Sequence, residues 1–246
     1  MAFETIIYEK EGPIAYLYLN RPQVLNAYSV RMRDELYEAL TAIRDDDEVE
    51  VVILSAKGEK AFCAGADLTE FLSAPSTIGA RRIRSRRDIW RLLNGLPQPL
   101  ICALFGYVLG SGLEMALFCD MRICTPDTIF GMPEASLGII PGAGGTQTLP
   151  RTVGVGRTLE LLLTGRWIDA SEAYRIGLVN RVTERGALME TCEDLAKTIT
   201  RFDQRIVRKI KELVRRGMEM RLEEGLYLEA LYAQMGSWKE GGYEHL

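Results

Sequence analysis

Histidine is almost absent from this chain of 246 residues, whose single histidine is His245. A Ser-His-Asp triad or a Cys-His pair needs a histidine that takes the proton of the nucleophile. The composition therefore excludes both, unless the terminal residue reaches the site. A zinc site built on histidine is disfavoured for the same reason, and we predict no metal ligand. The chemistry is expected to depend on carboxylates, hydroxyls and backbone dipoles.

Cysteine pairs, membrane-length apolar runs and an excess of basic charge are also missing. The five cysteines form no CxxC motif and lie in apolar contexts, which is typical of reduced core residues. No apolar run reaches the roughly 18 residues of a membrane span, and the first residues show no signal-peptide pattern. The net charge of -4 argues against a general nucleic-acid binder. We therefore predict a cytoplasmic protein without a membrane partner, and nucleic acid is an unlikely partner.

The first part of the chain alternates between apolar strands and amphipathic helices. Alternating residues near Gly12 predict a hairpin, and Ser29 is predicted to cap a helix that ends near Arg44. Continuous apolar runs, which are typical of buried parallel strands joined by right-handed crossovers, cover residues 49–56, 100–105 and 121–125. Two further helices are predicted, over residues 79–94 and from the glycine-rich turn at 106–112 to Phe118.

Helices dominate beyond residue 145. They are predicted near residues 156–164, 171–176, 185–201, 203–217 and 219–238, with one short strand at 178–182. The change in pattern predicts two parts. Residues 1–184 form an α/β core that holds the ligand site, and residues 185–246 form a helical part involved in packing and oligomerisation.

Two glutamates stand in glycine-rich, otherwise apolar stretches. The sequence GSGLE at residues 110–114 ends in Glu114, and FGMPE at residues 130–134 ends in Glu134. A carboxylate among apolar side chains loses hydration, which raises its pKa and suits it to proton transfer near neutral pH. Glycines let the backbone approach a ligand closely. The pair therefore predicts acid–base chemistry on a carbonyl compound.

Each glutamate also has a purely structural interpretation. Ser111 and Glu114 fit the spacing of a capping box, in which the serine caps a helix and the glutamate reaches back. Glu134 follows a proline in a loop, where a solvated turn carboxylate is common. Each motif taken alone leaves these alternatives open.

The sequence PGAGGTQ at residues 141–147 has the look of a phosphate loop. The dinucleotide-binding motif GxGxxG, counted from Gly142, requires a glycine at its sixth position, where this chain has Gln147. No Walker lysine follows. Nucleotide binding of that kind is therefore disfavoured.

Several motifs together resemble the crotonase superfamily of enoyl-CoA hydratases and isomerases. They run in order along nearly the whole chain: NRP at 20–22, NA at 26–27, AFCAGADL at 61–68, GSGLE, FGMPE, LG at 137–138 and PGAGGT at 141–146. The resemblance implies an α/β fold, a crotonase-like spiral of stacked ββα units with a helical C-terminal part. It implies a homotrimer or a homohexamer. It also implies an acyl-CoA substrate and no separate cofactor, because coenzyme A is part of the substrate.

The resemblance also implies roles for individual residues. Glu114 and Glu134 match the catalytic pair, and the backbone N–H groups of Ala66 and Ser111 match an oxyanion hole. Ser111 stands where typical hydratases have glycine, which keeps the N–H but places a hydroxymethyl group at the pocket. The positions that match the substrate and coenzyme A site are Val24, Ala64, Gly65, Asp67, Leu68 and Gly142.

The reaction implied by the resemblance is the reversible hydration of a 2-enoyl-CoA to a 3-hydroxyacyl-CoA, a step of fatty-acid β-oxidation. A Δ3-Δ2 enoyl-CoA isomerase, which needs only one glutamate, is an alternative, and so is a hydratase of cyclic or dienoyl-CoA. A non-catalytic RNA-binding member of the same fold is the alternative from another class. It rests on a basic helix that contains Arg81, Arg82, Arg84, Arg86, Arg87 and Arg91, although a solvated face is the ordinary explanation of such a helix.

Overall fold

A six-stranded sheet forms the centre of the molecule. The structure is a computed structural model that describes residues 3–71 and 87–236. In order across the sheet, its strands are Ile6–Glu11 (β1), Ile14–Leu19 (β2), Val51–Ala56 (β3), Leu100–Leu104 (β5), Met121–Cys124 (β7) and Arg181–Val182 (β10). The antiparallel pair β1 and β2 is the predicted hairpin, and the other neighbours are parallel. Both β3 and β5 are buried throughout, as their continuous apolar runs predict.

A second, four-stranded sheet consists of short strands. In order across the sheet they are Ala61–Cys63 (β4), Tyr107–Leu109 (β6), Ile129–Gly131 (β8) and Ile168–Asp169 (β9). The first three are parallel, and β9 is antiparallel to β8. The sequence analysis did not predict these strands, because two or three residues are too few to show a periodicity.

Helices follow the strands at regular intervals. The described part of the chain has ten α-helices: Val30–Asp45 (α1), Leu68–Phe71 (α2), Ile89–Gly95 (α3), Ser111–Phe118 (α4), Gly145–Val153 (α5), Val155–Thr164 (α6), Ala170–Arg175 (α7), Leu188–Ile199 (α8), Gln204–Gly217 (α9) and Leu222–Gly236 (α10). The orders β3-β4-α2, β5-β6-α4 and β7-β8-α5 repeat one unit of two strands and a helix. This repeat is the ββα unit that the resemblance implies.

The helix predictions agree with the structure in most places. Ser29 caps α1, with its hydroxyl oxygen accepting a hydrogen bond from the amide of Met32 at 3.1 Å. Helix α5 was not predicted, since Pro150 and the glycines at its start hide its pattern. Of the helix predicted over residues 79–94, the part before residue 87 lies outside the described residues. No helix in the described ranges is long and apolar enough to cross a membrane.

The core lies between the large sheet and the helices that pack on it. Helix α8 contacts β3 and β5 and buries Leu188, Cys192 and Ala196. All five cysteines are buried and unpaired, as predicted. Helix α9, in contrast, has no buried residue. The predicted boundary near residue 185 stays a prediction.

Gly112 marks the closest approach of α4 to β4. A Cβ atom built on Gly112 would lie 2.4 Å from the carbonyl oxygen of Cys63 and 2.7 Å from its Cβ. The helix or the strand must therefore shift to admit alanine. We expect Gly112→Ala to lower the free energy of unfolding by about 1–3 kcal/mol, the usual cost of overpacking, as measured by urea denaturation.

Gly156 in α6 provides the matched control for this substitution. No atom lies within 4 Å of a Cβ built there. Alanine is preferred over glycine inside a helix, so Gly156→Ala should leave stability unchanged or raise it by up to about 1 kcal/mol. Equal stability of Gly112→Ala and the wild-type protein would contradict the close contact.

Candidate active site

The carboxyl ends of three parallel strands meet at one edge of the smaller sheet. Strand β4 pairs with β6, and β6 pairs with β8. The segments that leave these strands are residues 64–67, 110–111 and 132–134, which belong to three of the motifs quoted above. The amide of Gly110 donates a hydrogen bond to the carbonyl of Gly131 at 2.9 Å. Crevices at the carboxyl ends of parallel strands are common ligand sites.

The segments that carry Ala66 and Ser111 touch each other through glycines. A Cβ atom built on Gly110 would lie 3.7 Å from the Cα atom of Gly65, and one built on Gly65 would lie 3.4 Å from the carbonyl oxygen of Leu109. Both glycines have positive φ, +108° at Gly65 and +48° at Gly110, which favours glycine. The backbone conformation therefore selects glycine at these two positions, since Cβ atoms at these distances would make ordinary van der Waals contacts.

The amides of Ala66 and Ser111 are two donors at this contact. Ser111 is the first residue of α4, so its N–H has no acceptor inside the helix and lies at the positive end of the helix dipole. Neither amide donates a hydrogen bond to any residue within 3–71 or 87–236. Two neighbouring donors of this kind can hold one oxygen atom of a ligand.

The segment that carries Ala66 is fastened to residues 24–28. Three backbone hydrogen bonds join the two segments, which limits how far the Ala66 amide can move. They run from Ala64 N to Leu25 O at 3.0 Å, from Tyr28 N to Gly65 O at 2.8 Å and from Asp67 N to Tyr28 O at 2.8 Å.

Asn26 binds the turn between β3 and β4, and Arg21 binds Asp67 in the segment that carries Ala66. Asn26 is buried, and its Nδ2 donates to the carbonyl oxygens of Lys57 and Ala61 at 3.0 and 2.9 Å. Arg21 forms an ion pair of 3.1 Å with Asp67. Arg21 and Asn26 belong to the NRP and NA motifs, but their structural role was not predicted. Asn26 has φ +55°, a conformation that asparagine tolerates better than most residues. The asparagine in this short loop was therefore the one sequence signal of its structural role.

Glu114 lies on the first turn of α4 and is only 1% exposed. Its Oε1 accepts hydrogen bonds from the amides of Ala143 and Gly145, at 2.8 and 2.9 Å. The loop that looks like a phosphate loop therefore binds this carboxylate. The capping-box alternative is wrong, because Gly110 occupies the N-cap position and makes no side-chain cap. The side chain of Glu114 faces the glycine loop instead.

Glu134 lies in a short 3-10 helix, Pro133–Leu137, and is 8% exposed. Its Oε1 lies 2.9 Å from where a Cβ atom of Gly110 would be, next to the Ser111 segment. Its Oε2 is buried and has no hydrogen-bond partner within the described part of the chain. Burial raises the pKa of Glu134; its own backbone amide offsets part of this effect, and the charge of Glu114 adds to it. The interpretation as a solvated turn carboxylate is wrong.

Of the other positions predicted to contact the ligand, Val24, Leu68 and Gly142 are exposed to solvent. Val24 and Leu68 are exposed apolar side chains, and Gly142 is exposed immediately before the amide of Ala143. The Asp67 carboxylate is engaged by Arg21 and by the hydroxyl of Thr69. Ala64 and Gly65 belong to the fastened segment. Their contacts with a ligand stay predictions.

The comparisons with known proteins agree on one family. A sequence model of the enoyl-CoA hydratase/isomerase family matches residues 9–240. The chain belongs to this family. It is 41% identical over 231 residues to a crotonyl-CoA hydratase of Syntrophomonas wolfei, covering 94% of this chain and 88% of that protein.

Two further relatives extend the agreement to the fold. A short-chain-enoyl-CoA hydratase of Clostridium acetobutylicum is 40% identical over 230 residues, covering 94% of this chain and 88% of that protein. The crystal structure of an enoyl-CoA hydratase from Bacillus anthracis superposes with a TM-score of 0.89 at 39% identity, covering 94% of this chain and 90% of that one. The crotonase-like spiral predicted from the sequence is thereby confirmed.

Most of the predicted basic helix lies outside the described residues, so its role stays a prediction. Arg81, Arg82, Arg84 and Arg86 lie outside the described residues. Arg87 pairs with Glu38 at 3.0 Å, as expected for a solvated face with ion pairs. Within the described ranges, no group of three or more acidic, histidine or cysteine side chains is placed to hold a metal ion.

The buried carboxyl of Glu134 predicts a pH-dependent stability. Because its pKa is raised in the folded state, this group costs no stability at low pH, where it is protonated in both states. The cost develops as pH rises above the unfolded-state pKa of about 4.3. We therefore expect Glu134→Gln to raise the melting temperature relative to the wild-type protein near neutral pH, and this gain to shrink towards about pH 4.

The exposed Glu184 is the matched control for this measurement. Glu184→Gln should shift the melting temperature little at any pH, since a surface substitution removes no buried charge. A Glu134→Gln effect that does not vary with pH would contradict the raised pKa.

Proposed function

We propose that the protein reversibly hydrates a 2-enoyl-CoA thioester to a 3-hydroxyacyl-CoA. The observation that carries the proposal is the pair of buried carboxylates, Glu114 and Glu134, beside the two backbone donors of Ala66 and Ser111. Hydration needs a base for the water, an acid for the α-carbon and a site for the thioester oxygen. An isomerase would require only one of the two carboxylates.

The first step is the addition of water to the β-carbon. The N–H groups of Ala66 and Ser111 bind the thioester oxygen and draw electron density from the double bond, which makes the β-carbon electrophilic. Glu114, held at Oε1 by two loop amides, orients a water molecule and takes its proton. The hydroxide adds to the β-carbon, and the electron pair moves to the thioester oxygen as an enolate. Each oxyanion-hole donor is worth roughly 3–4 kcal/mol in comparable sites.

The second step returns a proton to the α-carbon. Glu134 supplies it, because burial raises its pKa and so favours the protonated form nearer to neutral pH. The enolate electron pair forms the new C–H bond, and the thioester carbonyl is restored. These steps leave Glu114 protonated and Glu134 ionised. Loss of a proton from Glu114 to water and uptake of one by Glu134 restore the starting forms, and we propose that no separate cofactor takes part.

We also propose that the chain acts as a homotrimer or a homohexamer. Leu222 and Leu226 of α10 belong to the helical part predicted to take part in packing and oligomerisation, and both are exposed in the single chain. Ile206, Ile210 and Val214 form an exposed apolar row along α9. Contiguous apolar patches on a surface mark interfaces, and a second copy of the chain fits this requirement.

The cytoplasmic location stays a prediction of the sequence.

Hydration activity tests the roles of the two glutamates. We expect Glu114→Gln and Glu134→Gln each to lower the turnover of crotonyl-CoA by about 10²–10⁴, the usual contribution of a positioned acid or base. Loss of the absorbance of the conjugated thioester measures it, and Glu184→Gln should turn over at the wild-type rate. Full activity in either active-site variant would remove that residue from the mechanism.

Two assays separate the alternatives. With a 3-enoyl-CoA in deuterated water, an isomerase would move the double bond without adding water, and would tolerate the loss of one glutamate. Filter binding of RNA at two salt concentrations addresses the non-catalytic alternative. Tight, steeply salt-dependent binding without turnover of any acyl-CoA would overturn the proposal.

Substitutions at Ser111 test the oxyanion hole directly. Proline is well tolerated at the first position of a helix, so Ser111→Pro should remove the N–H donor while leaving α4 in place. We expect turnover to fall by about 10²–10³, the cost of one lost donor. Ser111→Gly keeps the N–H and should retain most activity. Unchanged turnover in a folded Ser111→Pro protein, checked by its melting temperature, would exclude this position from the oxyanion hole.

A further inference from the structure

Helix α4 connects the candidate active site to a charged cluster at its other end. The helix has eight residues and is therefore about 12 Å long. Its first turn carries the Ser111 amide and Glu114. Its last carbonyls lack donors within the helix. The groups that bind those carbonyls therefore fix the helix along its axis, and with it the two groups of the first turn.

Arg215 of α9 is one of the residues that bind this end of α4. Its Nη2 donates to the carbonyl of Phe118 at 2.8 Å and to Oδ1 of Asp120 at 2.8 Å. Its Nη1 donates to the carbonyl of Asn94 at the end of α3. A cation at the carboxyl end also complements the helix dipole. The guanidinium group thus joins α3, α4 and the residue that precedes β7.

Arg122 binds the same end of the helix from inside the core. It is only 7% exposed. Its Nη1 donates to the carbonyls of Ala116 and Cys119 at 3.3 and 2.7 Å, and its Nε donates to the carbonyl of Leu178 at 2.7 Å. A buried guanidinium with these partners cannot move without leaving donors unsatisfied.

Asp120 ties the cluster to the large sheet. Its Oδ2 accepts hydrogen bonds from the amide of Leu100, at the start of β5, and from Nζ of Lys211, both at 2.7 Å. The negative charge of Asp120 also pairs with both Lys211 and Arg215 of α9 and offsets the repulsion between them. The carboxyl end of α4 is therefore connected to a strand of the core as well as to α9.

Helix α9 reaches the rest of the molecule through long basic side chains. No side chain of α9 is fully buried. Arg208 donates to the carbonyl of Val49 at 3.1 Å, and Lys211 donates to that of Gln98 at 2.7 Å. Among the described residues of α9, only Arg215 hydrogen-bonds to α4. Arg208 makes the same kind of contact elsewhere on the core.

We infer that Arg215 is a positioning residue for the reaction, acting through α4 on the Ser111 amide and Glu114, with Arg122 as its buried counterpart. The inference rests on the proposed function for its effect on turnover. Without Arg215, the Phe118 carbonyl and Asp120 lose a shared partner, and α4 gains freedom along its axis. Misplacement of reacting groups by about 1 Å can cost up to about 10² in rate.

The comparison of Arg215→Met with Arg208→Met tests this inference in the full chain. Both variants remove an arginine of α9 that binds a core carbonyl. A purely structural role therefore predicts the same kcat per folded molecule in both, even where their losses of stability differ. We expect kcat for crotonyl-CoA to be about tenfold lower or more in Arg215→Met than in Arg208→Met. The KM should be similar in the two variants, because the positions predicted to bind the substrate and coenzyme A, from Val24 to Leu68 and at Gly142, lie outside α4. Equal kcat values in an active enzyme would overturn the inference.

Hydrogen exchange provides a second readout that does not depend on the activity. The amides of residues 114–118 should exchange faster in Arg215→Met than in Arg208→Met, and equal exchange would overturn the inference. A wild-type protein that fails to hydrate enoyl-CoA esters, with this difference in exchange intact, would reject the proposed function alone. If Arg215→Met does not fold, Arg215→Lys against Arg208→Lys makes the same comparison, since a lysine cannot reach all the acceptors of Arg215 at once.

Discussion

The close approach of helix α4 to the ends of β4 and β6 is the contact on which the candidate site depends. Gly112 lies so near the backbone of Cys63 that a Cβ atom there would overlap with it. Gly65 and Gly110 bring their own segments into contact at the same edge. This close packing of backbones brings together the segments that carry the amides of Ala66 and Ser111, and the first turn of α4 then carries Glu114 to the adjoining loop.

The two carboxylates acquire different surroundings from the same fold. Glu114 is buried but hydrogen-bonded at Oε1 by two amides of a glycine-rich loop, which keeps its orientation fixed. Glu134 is buried with one oxygen unpartnered, and burial raises its pKa. Pairs of acidic groups whose environments differ in this way are typical of acid–base sites, where one group orients a reactant and the other carries a proton.

Helix α4, which carries Glu114, is held at both ends by hydrogen-bond donors. Backbone amides surround its glutamate at one end, and guanidinium groups bind its carbonyls at the other. An isolated helix of eight residues is too short to be stable in water. Its order in this protein therefore comes from tertiary contacts, including those from α9, which lies far from it in the sequence.

The sequence by itself determined the class of the fold, the buried strands β3, β5 and β7, the capped helix after Ser29 and the two glutamates. Long apolar runs and short sequence motifs are local properties of the chain, so they can be recognised without a structure. The short strands β4, β6 and β8 could not be predicted, because they are defined by pairing with strands that are distant in the sequence. The environment of Glu134 and the loop that holds Glu114 were also decided only by tertiary structure. Burial and hydrogen bonding depend on residues that are distant in the sequence, as the Glu114 bonds to Ala143 and Gly145, 29 and 31 positions away, illustrate.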